Sequence, residues 1–228
     1  MNLYELFYRS KEGEASEPEG LPKAEGFALL WRAISQNPWN ILKLNLAFLV
    51  GSIAIVTIPA AFTALLGMNF QFLLGKNIDF VPEFWKLFKD SFARATPIGL
   101  LSMIMIFAIG FGIYFYASIA ENVAFFAVIA VIFLLILLCF IIMSFYIYPM
   151  LAFTDLKMVQ IIKNALYLTI ICLPRNILTL LAMGALLLVS LFSFTVSMII
   201  YAVAGFSLLG LIIAFCVHKG LMKHVIDN

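Results

Sequence analysis

Long apolar runs alternate along this chain with short stretches in which apolar and polar residues take turns at helical spacing. Three of those short stretches read as amphipathic helices. Phe27, Leu30, Trp31 and Ile34 share one face while Arg32, Ser35 and Gln36 lie off it, which predicts a helix over 27–37. Phe84, Leu87, Phe88 and Phe92 oppose Lys86, Lys89, Asp90 and Arg94, which predicts a second over 82–96. A third is predicted over 156–168, with Val159, Ile162 and Leu166 inward and Lys157, Gln160 and Lys163 outward. Thr154 and Asp155 are well placed to cap it. Helices that are apolar beneath and basic above suit the headgroup plane of a bilayer.

A proline and a long apolar run follow each of these elbows, at Pro38, Pro97 and Pro174. Pro38-Trp39-Asn40-Ile41-Leu42 echoes Pro174-Arg175-Asn176-Ile177-Leu178, and Pro38 to Gly51 equals Pro97 to Gly110 in spacing. The echo predicts three repeats, each an elbow plus a hairpin of two membrane segments. As one helix, Ile41–Leu74 would be about 50 Å long against a hydrocarbon core of about 30 Å, and Pro59 divides it. The expected fold is therefore an all-α integral membrane protein with about six segments, over 39–58, 60–75, 98–118, 123–148, 177–194 and 196–217. They form a single polytopic domain, 27–228, behind an acidic tail, 1–26, in which Pro18, Gly20 and Pro22 interrupt any helix. The first long apolar run begins near Trp39, behind that tail, which is not the layout of a cleaved leader.

Composition makes lipid the solvent. Of 228 residues, 64% are apolar and 11% charged, against roughly 45–50% and 25% in soluble domains. Charge decides orientation. With six crossings and both termini on one side, all 14 Lys and Arg fall on that side, while the opposite turns carry Glu121. The positive-inside bias makes that side the cytoplasm.

Candidate chemistry is sparse. Asn45, Thr57 and Thr63, with Asn69 and Gln71, are the polar residues of the first hairpin and the candidate lining of a small intramembrane site. The competing reading is hydrogen bonding between helices. Ion and proton movers keep an acid, His or Arg at mid-depth; this chain has none there, and Lys43 lies close enough to Pro38 to snorkel. Cys139, Cys172 and Cys216 stand singly in apolar runs, as packing residues do. The outer turn of the last hairpin clusters Ser190, Ser193, Thr195 and Ser197 as turn hydroxyls. His218 and His224 have no companion ligands at metal-site spacing. No nucleophile elbow, HExxH or phosphate loop occurs. The expectation is a protein that is no enzyme, with no catalytic residue, cofactor, metal or nucleic-acid partner. What remains is a cationic collar: Lys76, Lys86, Lys89, Arg94, Lys157, Lys163 and Arg175. These are candidate contacts for lipid headgroups, at about 1 kcal/mol each, or for a protein partner.

Two motifs carry a family resemblance. Leu44-Asn45-Leu46 followed by Thr57-Ile58-Pro59-Ala60-Ala61-Phe62-Thr63-Ala64-Leu65 resembles the first signature of the YesL-like family of bacterial membrane proteins, although Ile58 stands where that family usually has Gly. Tyr148-Pro149, Lys163-Asn164-Ala165-Leu166 and Leu173-Pro174-Arg175 resemble its second signature, and the elbow with Phe84, Phe88, Lys89 and Phe92 also fits. The resemblance implies a multi-pass protein of the bacterial cytoplasmic (inner) membrane and an accessory role beside carbohydrate transporter subunits. The alternative is a small-molecule or lipid transporter that uses the first hairpin.

Overall fold

The most deeply buried of the long helices is the least apolar of them. A computed structural model describes residues 26–75, 79–120, 124–154, 156–192, 198 and 200–221. In chain order the helices are α1 (Phe27–Gln36), α2 (Pro38–Gly51), α3 (Ile58–Leu73), α4 (Phe80–Ile119), α5 (Ala124–Phe153), α6 (Met158–Ile171), α7 (Leu173–Phe192) and α8 (Phe206–Leu221). A 3-10 turn at Ile55–Thr57 leads into α3, and a π-helical turn at Tyr201–Gly205 leads into α8.

Among the described residues, four stretches are long and apolar enough to cross a membrane: Ile55–Leu73, Phe80–Ile119, Phe125–Phe153 and Tyr201–Leu221. From most to least apolar they run α5, α4, α8, α3. The buried share of their most apolar windows rises in the same order, from 11% through 17% and 44% to 72%. A water-soluble fold would show the opposite trend, because burial there is driven by removing apolar surface from water. Exposing the most apolar helices and enclosing the least apolar one is what a lipid solvent favours. The chain is a membrane protein.

α3 owes its burial to small residues. Ala60, Ala61, Ala64 and Gly67 let neighbouring backbones close in, and every residue from Ala60 to Leu73 except Phe62 is buried. Leu44 and Phe48 of α2, Phe84 and Leu87 of α4, Tyr146 and Met150 of α5, and Leu211 and Ala214 of α8 complete the surrounding core. α4 runs antiparallel to α3, since a Cβ at Gly67 would meet Leu87 and one at Gly99 would overlap the Pro59 ring. Beyond Gly99, α4 continues beside α5, with Phe133 covering Gly112. Large apolar side chains such as Phe107, Tyr114 and Phe125 stand exposed on that hairpin.

Several helix boundaries differ from those the pattern predicts. The first segment was expected over 39–58, but α2 stops at Gly51 after 14 residues, about 21 Å and short of the hydrocarbon thickness. Pro59 sits in the first turn of α3, where its missing N–H leaves no bond unmade. Ile58 has ordinary right-handed helical angles, φ −51 and ψ −47, so no Gly is required there. The second elbow is not a separate element: α4 is one 40-residue helix that passes through Pro97. The third elbow, α6, meets α7 at a bend of 88°. The described helices thus give four crossing candidates, or five with the bent pair, where the pattern predicted six.

The elbow faces also shift. α6 buries Ile161, Ala165 and Leu168 against the core and leaves Val159, Ile162 and Leu166 exposed, the reverse of the expected inward row. α1 buries Ala33, while Phe27 and Trp31 face outward. Periodicity identifies an apolar stripe but does not say whether protein or lipid covers it, and small residues decide where backbones approach. Thr154 is not a cap of α6, because its hydroxyl donates to the Met150 carbonyl at 2.7 Å. In its place Gln160 Oε1 accepts the Lys157 N–H at 3.0 Å. The acidic tail, Lys76, Asp155, Ser193, Thr195, Ser197 and His224 lie outside the described residues.

Two glycines on α4 test this packing. Gly99→Ala is expected to destabilise the protein by about 1–3 kcal/mol through overpacking. Gly110→Ala, where nothing stands within 4 Å, should be neutral. Thermal unfolding in detergent reads both; equal midpoints for the two variants would refute the α3–α4 contact.

Candidate functional site

The first polar node is built on Asn45, in the middle of α2 and fully buried. A π-helical turn displaces backbone groups from their usual partners. Asn45 meets those groups: its Nδ2 donates to the carbonyls of Tyr201 at 2.9 Å and Ala202 at 2.8 Å. Its Oδ1 accepts the N–H groups of Phe206 at 3.0 Å and Ser207 at 3.2 Å. Two donors and two acceptor positions are all a carboxamide has, so Asn45 is saturated by backbone. The Phe206 ring, packed against Phe48 and Tyr201 at 5.2 and 5.5 Å between centroids, shields the node.

The other two candidates of the first hairpin do not join it. Thr63 is buried, but its hydroxyl donates to the Pro59 carbonyl one turn earlier at 2.8 Å. Thr57 bonds the Ala54 carbonyl at 2.7 Å in the break before α3. Each hydroxyl serves its own turn. Asn69 donates to the Leu65 carbonyl at 3.0 Å, and Gly210 of α8 lies so close that a Cβ there would stand 2.5 Å from Asn69 Nδ2. Asn69 Oδ1 and Ser207 Oγ are buried without a hydrogen-bond partner among the described residues. Gln71 Nε2 reaches Glu83 Oε1 on α4 at 3.1 Å.

A second node holds the α6–α7 bend. The Tyr146 hydroxyl on α5 donates to Asn176 Oδ1 at 2.7 Å, and Asn176 Nδ2 donates to the Thr169 carbonyl at 2.9 Å. Asn176 thereby ties the helix after Pro174 to the helix before it. Asn40 occupies the matching place after Pro38 and reaches back to Asn37 Oδ1 at 3.3 Å, while Asn37 Nδ2 bonds the Ala33 carbonyl at 3.3 Å. Sequence reasoning noted both asparagines as an echo and missed their role. A lone Asn two residues after a proline in an apolar run was the available signal.

The cationic residues divide. Arg94 turns inward from α4 to the end of α5, its Nη1 2.8 Å from the Thr154 carbonyl and its Nη2 3.4 Å from that of Leu151. A cation there offsets the partial negative charge of a helix C-terminus. Lys86, Lys89, Lys157, Lys163 and Arg175 are exposed. On α4, Trp85, Lys89 and Phe92 fall at spacings of four and three, and both aromatic rings are partly exposed. Cys172 and Cys216 are buried and Cys139 is exposed, all as free thiols.

Saturation of Asn45 has a measurable consequence. Asn45→Leu leaves two carbonyls and two N–H groups without their partner and is expected to destabilise by on the order of 3 kcal/mol. Thr63→Ala, which removes a bond within one helix, should change stability by less than about 1 kcal/mol. Equal unfolding midpoints for the two variants would show that Asn45 does not hold the π turn.

Residues 41–113 match a family model described as "Protein of unknown function, DUF624". No curated protein and no solved structure matches the chain. The matched stretch covers α2 from Ile41, all of α3 and most of α4, so this chain is similar to that family across the helices that enclose its core.

Proposed function

We propose that this protein is a non-catalytic accessory or scaffold of the bacterial cytoplasmic membrane, with both termini in the cytoplasm, that serves carbohydrate uptake by docking onto transporter subunits. One observation carries the reading. The interior carboxamides of Asn45 and Asn176 are engaged in holding helices together, whereas α4 presents Trp85, Lys86, Lys89 and Phe92 outward. Aromatic residues beside cations suit a protein interface, and steering by charge favours an acidic patch on the partner. The link to carbohydrate uptake rests on the likeness to the YesL-like family. The arrangement as three elbow-plus-hairpin repeats with about six membrane segments is part of the same proposal, with the first turns of α4 as the second elbow and α2 as a short segment. Asn40 and Asn176, each two residues after its proline and each bonded to an earlier residue of its elbow, support it.

Transport of a small polar solute or lipid is the second reading. What favours it is the pair of buried, unpartnered atoms Asn69 Oδ1 and Ser207 Oγ. Asn69→Leu with Ser207→Ala would then abolish uptake without lowering the amount of protein in the membrane.

For the scaffold, a deletion strain should grow poorly on at least one of a panel of oligosaccharides, and the wild-type gene should restore growth. Lys86→Glu with Lys89→Glu, present at wild-type level in the membrane, should restore less than about half of it, because reversed charge at an interface rim opposes association. Full rescue by that variant, or normal growth of the deletion strain on every sugar, would sink the proposal.

A further inference from the structure

α6 differs from the other elbows in showing three distinct arcs. At about 100° per residue, Ile161, Ala165 and Leu168 form the arc packed on the core. Gln160, Lys163 and Tyr167 form a polar arc, and Lys157 stands just before the first turn; all four are exposed. Val159, Ile162, Leu166 and Ile170 form a third, apolar and uncovered, at 63%, 42%, 52% and 67% exposure. Ile171 and Leu173, beside the bend, are exposed as well.

We infer that α6 is an in-plane anchor whose uncovered apolar arc lies among acyl chains while Lys157 and Lys163 bind the headgroups of anionic phospholipids. Three observations select lipid over a protein partner. α6 meets the apolar α7 at 88°, so it lies flat in the bilayer plane when α7 crosses. From Lys157 to Ile171 the chain carries two lysines and no Asp or Glu, a charge that complements an anionic surface. On α4, by contrast, Glu83 and Asp90 accompany Lys86 and Lys89, the mixed pattern of a protein-facing ridge. The apolar arc borders the cationic one along the same helix, as in helices that rest in the interface. This inference needs α7 to cross the bilayer and does not need the scaffold reading.

The test uses the full chain in vesicles of phosphatidylcholine with about one third phosphatidylglycerol, a content that gives an anionic surface. On a Cys139→Ser background, nitroxide labels at Ile162→Cys and Leu166→Cys should collide with dissolved oxygen far more than with an aqueous nickel chelate. Equal access to both would put the arc in water, and access to neither would put it under protein, a second copy included; either result overturns the inference. Should one labelled variant fail to fold, Val159→Cys takes its place. The charge arm reads the unfolding midpoint from tryptophan fluorescence. Phosphatidylglycerol should raise the wild-type midpoint over that in pure phosphatidylcholine, Lys157→Gln with Lys163→Gln should lose more than half of the rise, and inorganic phosphate added to phosphatidylcholine vesicles should give none. An undiminished rise in the variant, or a rise with phosphate alone, would overturn headgroup binding. Because no arm measures growth or uptake, failure here is separable from failure of the scaffold proposal.

Discussion

Enclosure of α3 is the constraint from which the other helices take their positions. Lipid tails are as apolar as leucine, so helices in a membrane gain little from hiding apolar surface and associate through close contact and hydrogen bonds. α3 supplies close contact with Ala60, Ala61, Ala64 and Gly67, and its neighbours answer with Gly99 and Gly210. The polar residues it carries, Thr63, Asn69 and Gln71, are all buried, which would be a poor choice for a surface that faces lipid. The most apolar helix, α5, is correspondingly the most exposed.

Breaks in regular helix are the second theme, and each is met by a side chain. The π turn before α8 is held by Asn45, the right-angle bend at Cys172 by Tyr146 and Asn176, and the end of α5 by Arg94. An unpaired backbone group inside a bilayer costs several kcal/mol, so irregular backbone persists there only where such a partner exists. Polar residues that resemble a binding site in an apolar sequence thus act here as internal fasteners.

Much of the architecture was legible in the residues. The apolar runs, the boundary at Pro59 and the elbow at Pro174 all follow from pattern and proline chemistry. Pro97 misled because an interior proline costs a helix one hydrogen bond and usually marks a break, whereas here α4 continues through it and Gly99 beside it takes the Pro59 ring. At Pro38 and Pro174 an Asn stands at the place of Gly99 and ties the chain back across the elbow. The row Val159, Ile162 and Leu166 was visible as apolar, but the choice of Ile161, Ala165 and Leu168 as the packed row depends on the neighbour's shape. Asn45 was visible as polar; its partners lie 156 and more residues further along, beyond the reach of any local pattern.

The length of α4 has a mechanical side. Forty residues make a rod of about 60 Å, packed against α3 from Leu87 to Gly99 and against α5 at Gly112. Pro97 removes one backbone bond almost where that α3 contact ends, so bending compliance concentrates at the fulcrum rather than along either arm. A swing of about 10° on an arm of about 30 Å carries its tip about 5 Å. Because α5 packs along that arm, with Phe133 over Gly112, any such bend carries the tip of the whole hairpin.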